Sequence, residues 1–378
     1  MKNRNAKGGG SVRQRDDGTW EARCTINGKR RSFYGKRQSD ALKAMRAALS
    51  AADNGTFIEP SKMTVGAWLD VWLEEYIKPS TKPLTYSAYK SSIETHIKPY
   101  LGSVRLSSLN PTQVQSFYND LLRKNGLSPK TIKNNHGILH KALDQAMRLR
   151  YIGCNVTDSC TVPRVEKKEI QPLTEDEIAM FLESAKGDEY EDMLIVALFT
   201  GMRRGELCGL SWDAVNFRTG TISVKQQLCA SKEDYTYYIA STKSDKIRTL
   251  TAPRFVMDIL SRIKKEQAVQ RLQYGFLWQN EHNLVFTTPT GHHIVPVTLY
   301  GHFKRIAEKI GRPDARLHDL RHTYAVTALQ EGDDVKTVQQ NLGHATASFT
   351  LDVYGHVSEK MKQESANRMQ KYFEKVKA

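Results

Sequence analysis

The chain has 378 residues, long enough for two or three domains with separate cores. Lys and Arg outnumber Asp and Glu by 56 to 41, a formal net charge of +15, so a polyanionic partner is expected: nucleic acid first, an acidic membrane second. No run of eighteen apolar residues occurs and the opening MKNRNAKGGG has no apolar h-region, which argues against a membrane-spanning or secreted protein. Five cysteines form no C-x-x-C pair, so reduced thiols in a cytoplasm are the expectation.

Residues 1–10 are polar and Gly-rich. Three strand-like runs follow, Ser11–Arg15, Trp20–Ile26 and Arg30–Tyr34, separated by Asp17-Gly18 and Asn27-Gly28, dipeptides suited to tight hairpins. Ser39 is expected to cap a helix rich in Ala and Leu that ends near Asn54-Gly55. A meander covered by one helix leaves one sheet face free. Arg13, Arg15, Arg23, Lys29, Arg30 and Arg31, interleaved with Trp20 and Phe33, make that sheet a candidate DNA reader. Residues 56–62 read as a linker.

From residue 63 to 160 the period turns helical, over Val65–Tyr76, Tyr86–Ile97, Pro111–Asn125 and Pro129–Tyr151. The last of these turns Ile132, Leu139, Leu143 and Ala146 to a core and leaves Lys130, Lys133, Asn134 and Lys141 for solvent or phosphates. Fourteen Lys/Arg face six Asp/Glu in residues 1–62, and twelve face seven in 63–163, so most of the binding charge lies upstream of residue 164.

Residues 161–172 form a second linker, and a final domain spans 173–378, opened by Thr174 and Glu177 in capping-box spacing. An apolar helix at Met193–Phe199 stops at Thr200-Gly201, and the next begins with Arg203 in its first turn and Glu206 on the same face. Strand-like runs at Thr221–Leu228, Thr236–Ser241 and Ile247–Leu250 follow, with Lys243 on the polar turn between the last two. A closing amphipathic helix covers Val357–Ala378, suited to docking on its own domain or on a neighbour. The fold class expected is multidomain, mainly α with small β-sheets: a three-stranded sheet plus helix, a helical bundle and a mixed α+β final domain.

The segment RLHDLRHTYAVTALQEGDDVKTVQQNLGHATASFTLDVYGH carries the chemistry. His318 and Arg321, three apart, share a helix face; His344 follows a helix-ending Gly343; Tyr354 comes ten residues later. Cations, an imidazole and a phenol suit attack on a phosphodiester, whose negative charge grows in the transition state. His318 and His322 also have the spacing of a metal pair. A zinc hydrolase, however, places Glu inside that motif, and an arginine here would repel a dication. No metal and no cofactor are expected.

ThrGlyMetArg203ArgGlyGlu206, Lys243, His318AspLeuArg321His322, LeuGlyHis344 and Tyr354 together resemble the tyrosine recombinases, in order and approximate spacing, and the whole chain resembles an integrase of a phage or conjugative transposon. The resemblance implies that Tyr354 attacks the scissile phosphate to give a 3′-phosphotyrosyl link. Arg203, Arg321 and His344 would bind the non-bridging oxygens, Lys243 would protonate the departing 5′-oxygen, and His318 would assist Tyr354 or orient the phosphate. Glu206 and His322 would support them. It further implies an arm-type DNA-binding domain at 1–55, a core-binding domain at 63–160, and a homo-tetramer on double-stranded DNA working through a Holliday junction. The terminal helix would pack in trans. The resemblance also allows for an excisionase and a DNA-bending host protein, in a bacterial cytoplasm at the nucleoid. Two other readings share the scaffold: a DNA-binding regulator that does not cut, and a resolvase of the Xer type.

Overall fold

The computed structural model describes residues 10–54, 57, 62–166, 171–231, 236–242, 246–343 and 359–377, in two compact units, Met1–Glu166 and Lys167–Ala378. Lys243, His344 and Tyr354 lie outside the described residues.

The first unit opens with an antiparallel meander, β1 (Ser11–Gln14), β2 (Trp20–Ile26) and β3 (Lys29–Gly35), in that spatial order. Ile26 pairs with Lys29, so Asn27-Gly28 is a two-residue loop, and both residues take positive φ (49° and 77°), the combination whose twist matches right-handed strands. Helix α1 (Gln38–Asp53) covers one face, burying Ala22, Cys24 and Ile26 against Ala41 and Met45. Its N-cap is Arg37 rather than the expected Ser39, and no side chain caps it; Ser39 lies inside the first turn.

A helical bundle follows: α2 (Val65–Trp72), α3 (Pro83–Ser92), α4 (Lys98–Leu101), α5 (Pro111–Arg123) and α6 (Pro129–Arg148). The expected helices over Val65–Tyr76 and Tyr86–Ile97 both end in a π-turn, at Leu73–Ile77 and Ile93–Ile97. Ile132, Leu139, Leu143 and Ala146 are fully buried, as their period requires, and Trp68 adds a hydrogen bond from its indole to the Ala142 carbonyl (2.8 Å). Burial of each of the larger side chains, Ile132, Leu139 and Leu143, stabilises by roughly 1.5–3 kcal/mol.

The second unit contains α7 (Glu175–Ala185), α8 (Glu191–Thr200), α9 (Arg204–Cys208), β4 (Val215–Asn216), β5 (Thr221–Val224), β6 (Gln226–Ala230), β7 (Tyr237–Ser241), β8 (Arg248–Thr251), α10 (Arg254–Tyr274), α11 (Pro296–Lys309), α12 (Asp319–Gln330), α13 (Val335–Leu342) and a terminal helix, Glu359–Lys377. The capping box forms: the Thr174 side chain accepts from the Glu177 N–H, and Glu177 accepts from the Thr174 N–H (2.8 Å).

The expected strand Thr221–Leu228 is two strands in two sheets. β5 lies between β4 and β8, whereas β6, among the described residues, pairs with β7 alone. The break falls at Lys225, which turns to Asp213, while the Gln226 side chain reaches the Gly209 carbonyl (2.9 Å). Gly209 makes room for this: a Cβ there would stand 2.6 Å from the Leu228 nitrogen. The strands flanking Lys243 therefore pair with other strands and not with each other. The Thr242 hydroxyl donates to the Lys246 carbonyl (3.1 Å), on either side of residues 243–245.

Candidate active site and nucleic-acid faces

Helix α8 buries Met193, Leu194, Val196, Ala197 and Leu198 and stops at Gly201, whose φ of +62° favours a residue without Cβ. A Cβ there would also come within 2.6 Å of the Tyr324 ring and 2.8 Å of Leu342, so glycine lets α12 and α13 close on the end of α8. The turn delivers Arg203 as the N-cap of α9, rather than inside its first turn. Its backbone N–H donates to Glu206 Oε2 (2.9 Å) and its guanidinium to Glu206 Oε1 (2.8 Å), while about a third of the side chain (29%) remains exposed.

Glu206 is buried, and a second arginine holds it. Arg248, at the start of β8, donates to both carboxylate oxygens (2.9 and 2.6 Å) and from Nε to the carbonyl of Asn341 (2.8 Å). Burial pushes the carboxyl's pKa up, but the Arg248 bonds and then Arg203 outweigh it and hold it at about 2. Sequence reasoning did not single out Arg248. The available signal was Glu206 itself, a carboxylate leading directly into the apolar run LeuCysGlyLeu, where burial calls for a charge partner.

Arg321, in the first turn of α12, is buried. It donates to the carbonyls of Gly201 (2.7 Å) and Leu342 (2.5 Å), the C-terminal ends of α8 and α13. Those carbonyls lack helical partners and carry the negative end of the helix dipole, so a guanidinium satisfies both needs at once. His318 is the N-cap of α12, with His322 packed edge-on against it at 4.8 Å between ring centroids. Partial burial, then His322, Arg321 and Arg203, depress His318 to a pKa of about 4, against the pull of Asp319. His322 is depressed too, by burial first and by Arg316 and Arg321, with Asp319 opposing. Both imidazoles are therefore neutral near pH 7. Among the described residues no third ligand completes a metal cluster with them.

The candidate residues Arg203, Glu206, His318, Arg321 and His322 thus converge in the second unit. The chain leaves α13 through Gly343 (φ +65°), packed on Arg248, immediately before His344.

On the N-terminal sheet, alternation puts Arg13, Arg23 and Arg30 on the open face, opposite Glu21, Ser32 and Thr25 respectively. Arg31, Trp20 and Phe33 fall on the helix-covered side, so the face does not carry the expected interleaving of arginines with these aromatics. Glu21, also unanticipated, sits at its centre, accepting from Arg13 (2.8 Å), Arg23 (2.9 Å) and the Tyr34 hydroxyl (3.2 Å), with its pKa held at about 2 by Arg23 first. The Arg15 guanidinium lies 5.5 Å from the Tyr34 ring centroid. On α6, Lys130, Lys133, Asn134 and Lys141 are all exposed, and Lys141 donates to the Tyr89 hydroxyl (3.0 Å).

Residues 171–361 match the model of the phage integrase family, and residues 64–122 that of a phage-integrase N-terminal SAM-like domain. A tyrosine recombinase described as XerC-like, from Caldanaerobacter subterraneus, is 30% identical over 92% of this chain and 93% of its own length. The ICEBs1 integrase of Bacillus subtilis is 24% identical over 75% of this chain and 77% of its own. Among solved structures, the Tn1549 transposon integrase bound to transposon right-end DNA aligns with a TM-score of 0.69 at 23% identity, over 82% of this chain and all of that one. A lambda integrase tetramer bound to a Holliday junction aligns with a TM-score of 0.59 at 18% identity, over 94% of this chain and 99% of its own.

Proposed function

Because the chain belongs to the phage integrase family, we propose that its second unit breaks and rejoins DNA strands at a site built from Arg203, Arg321, His318, His344, Lys243 and Tyr354. The protein is a tyrosine recombinase, an integrase-type DNA strand transferase. In the proposed reaction the Tyr354 hydroxyl oxygen bonds to phosphorus as the bond to the 5′-oxygen breaks. The phenol's proton passes to neutral His318, and the leaving oxygen takes one from Lys243. The phosphotyrosine keeps the bond energy, so a second strand's 5′-hydroxyl reverses the step without ATP. A phenol is almost wholly protonated at neutral pH, so the site must activate it.

One observation carries the reading: both arginines are pre-set. Glu206 holds Arg203, and backbone carbonyls hold Arg321, so the donors aimed at a growing phosphorane charge need no reorganisation when it forms. Two guanidiniums supply the charge that a metal would otherwise bring. Among the described residues, no helix is long and apolar enough to cross a membrane.

In the same reading, residues 1–55 hold arm-type DNA through Arg13, Arg15, Arg23 and Arg30, Arg31 being turned to the helix-covered side, and residues 63–160 hold core-type DNA through Lys130, Lys133, Asn134 and Lys141. Residues 56–62 and 161–172 link these parts. Four copies act together on DNA at the nucleoid, with an excisionase and a bending protein setting direction. The terminal helix packs in trans: Met369, Phe373 and Val376 are exposed on the isolated chain and await a partner surface.

The deciding experiment uses a nicked duplex carrying the element's end, on which cleavage is irreversible. Wild-type protein should leave a denaturation-resistant adduct mapped to Tyr354 and a 3′ phosphate, and Tyr354→Phe should bind the duplex yet leave none. An adduct in the Phe variant would remove Tyr354 as nucleophile. No adduct with the wild type would favour a non-cutting regulator.

A further inference from the structure

Helix α6 contains a glycine that its own fold does not explain. Gly137 lies in the middle of a twenty-residue helix, in ordinary helical backbone, and a Cβ added to it would meet nothing within 4 Å. It relieves no strain and admits no neighbouring element. Glycine is nonetheless the costliest residue for a helix interior after proline. Its position gives the reason. Counting from Lys130, residues 133, 134, 137 and 141 recur at helical intervals of three and four, which puts Gly137 near the midline of the stripe formed by Lys130, Lys133, Asn134 and Lys141. The stripe presents three lysines, and the next carboxylate along it, Asp144, is tied to Arg148 (2.8 Å).

We propose that Gly137 is the point of closest approach between α6 and duplex DNA: a gap in the side-chain layer through which the nucleic acid comes against the helix backbone while the flanking lysines take phosphates. The inference rests on the reading that this stripe faces DNA. Positive charge without acidic relief selects a polyanion, and a rod-shaped one fits a straight stripe with a notch at its centre. A protein partner with an acidic groove is the alternative occupant, and the experiment below separates the two.

The test uses full-length protein, a fluorescent duplex carrying the element's end, and anisotropy titrations over a range of salt. Gly137→Ala should raise the melting temperature, since Ala favours the helix and meets no neighbour. It should also weaken DNA binding, roughly tenfold, while leaving the salt dependence unchanged because no phosphate ion pair is lost. Gly137→Gln should weaken it further. The double variant Lys130→Ala/Lys133→Ala should weaken binding with a shallower salt slope. Wild-type affinity in Gly137→Ala alongside a weakened lysine variant would overturn the close approach alone. Wild-type affinity and slope in the lysine variant would remove the DNA-facing reading beneath it. A lowered melting temperature in Gly137→Ala would show that the fold itself needs the glycine, and would also overturn the proposal.

Discussion

Glu206 and Arg248 meet in a two-bond carboxylate–guanidinium pair (2.9 and 2.6 Å) in which both side chains are largely removed from water. The pair ties together three stretches of chain: α9 with Arg203, strand β8, and, through the Asn341 carbonyl, the end of α13 before His344. Arg203 is the more exposed of the two arginine partners of Glu206, 29% against 10% for Arg248. Under the proposed reaction, the carboxylate has one arginine for the fold and one for the substrate.

Removing one partner strands the other's charge. Glu206→Gln should destabilise the protein by about 3–5 kcal/mol, the usual cost of breaking a buried pair from one side. Glu206→Gln/Arg248→Met should recover part of that loss in urea melts, because both charges leave together. Strictly additive single-variant losses would mean that the two side chains do not act as a unit.

Acid should weaken the fold through the same carboxylate. Its pKa of about 2 lies below the ordinary glutamate value of 4.5, so the unfolded chain binds the proton more readily. The stabilisation is fully present above pH 4.5 and is lost as pH falls toward 2. His318 acts in the same direction between pH 6.5 and 4, because its folded form resists protonation. Melting temperature should decline across both windows, and Glu206→Gln should flatten the lower one.

The proton-accepting role proposed for His318 makes a kinetic prediction. Protonation disables it, so the acid limb of kcat/KM, which reports the free enzyme, should fall near pH 4. A bound phosphate offsets Arg203 and Arg321, so the limb of kcat, which reports the complex, should lie at higher pH. Single-turnover cleavage on nicked DNA measures both. Coincident limbs would argue that substrate charge does not reach His318.

Gly201→Ala places a methyl group 2.6 Å from the Tyr324 ring in a left-handed backbone position. A stability loss of roughly 1–3 kcal/mol is expected from the backbone alone. Because the Gly201 carbonyl holds Arg321, cleavage should fall by more than the folded fraction accounts for. Activity that simply tracks the folded fraction would show that Arg321 does not depend on this carbonyl.

Features set by contacts within a few residues were legible in the sequence. Asn27-Gly28 closes a two-residue hairpin, Thr174 and Glu177 cap α7, Gly201 and Gly343 end helices in the left-handed region, and Leu139 and Leu143 are buried. The motif from Arg203 to Tyr354 likewise named the family, because residue type and order are themselves sequence. What the chain could not show locally was who holds whom. Arg248 reaches Glu206 across 42 positions, and Arg321 reaches Gly201 across 120 and Leu342 across 21. Similarly, the strand-like run from Thr221 looks continuous until β8 claims its first half and β7 its second, and pairing across the sheet decides that Arg31 and Trp20 face α1. Propensity, capping and turn chemistry act over a few residues, so composition and spacing determine them directly. The desolvated ion pair and the arginine braced on two helix ends exist only once folding has excluded water from groups distant in sequence, and that is a property of the packed chain.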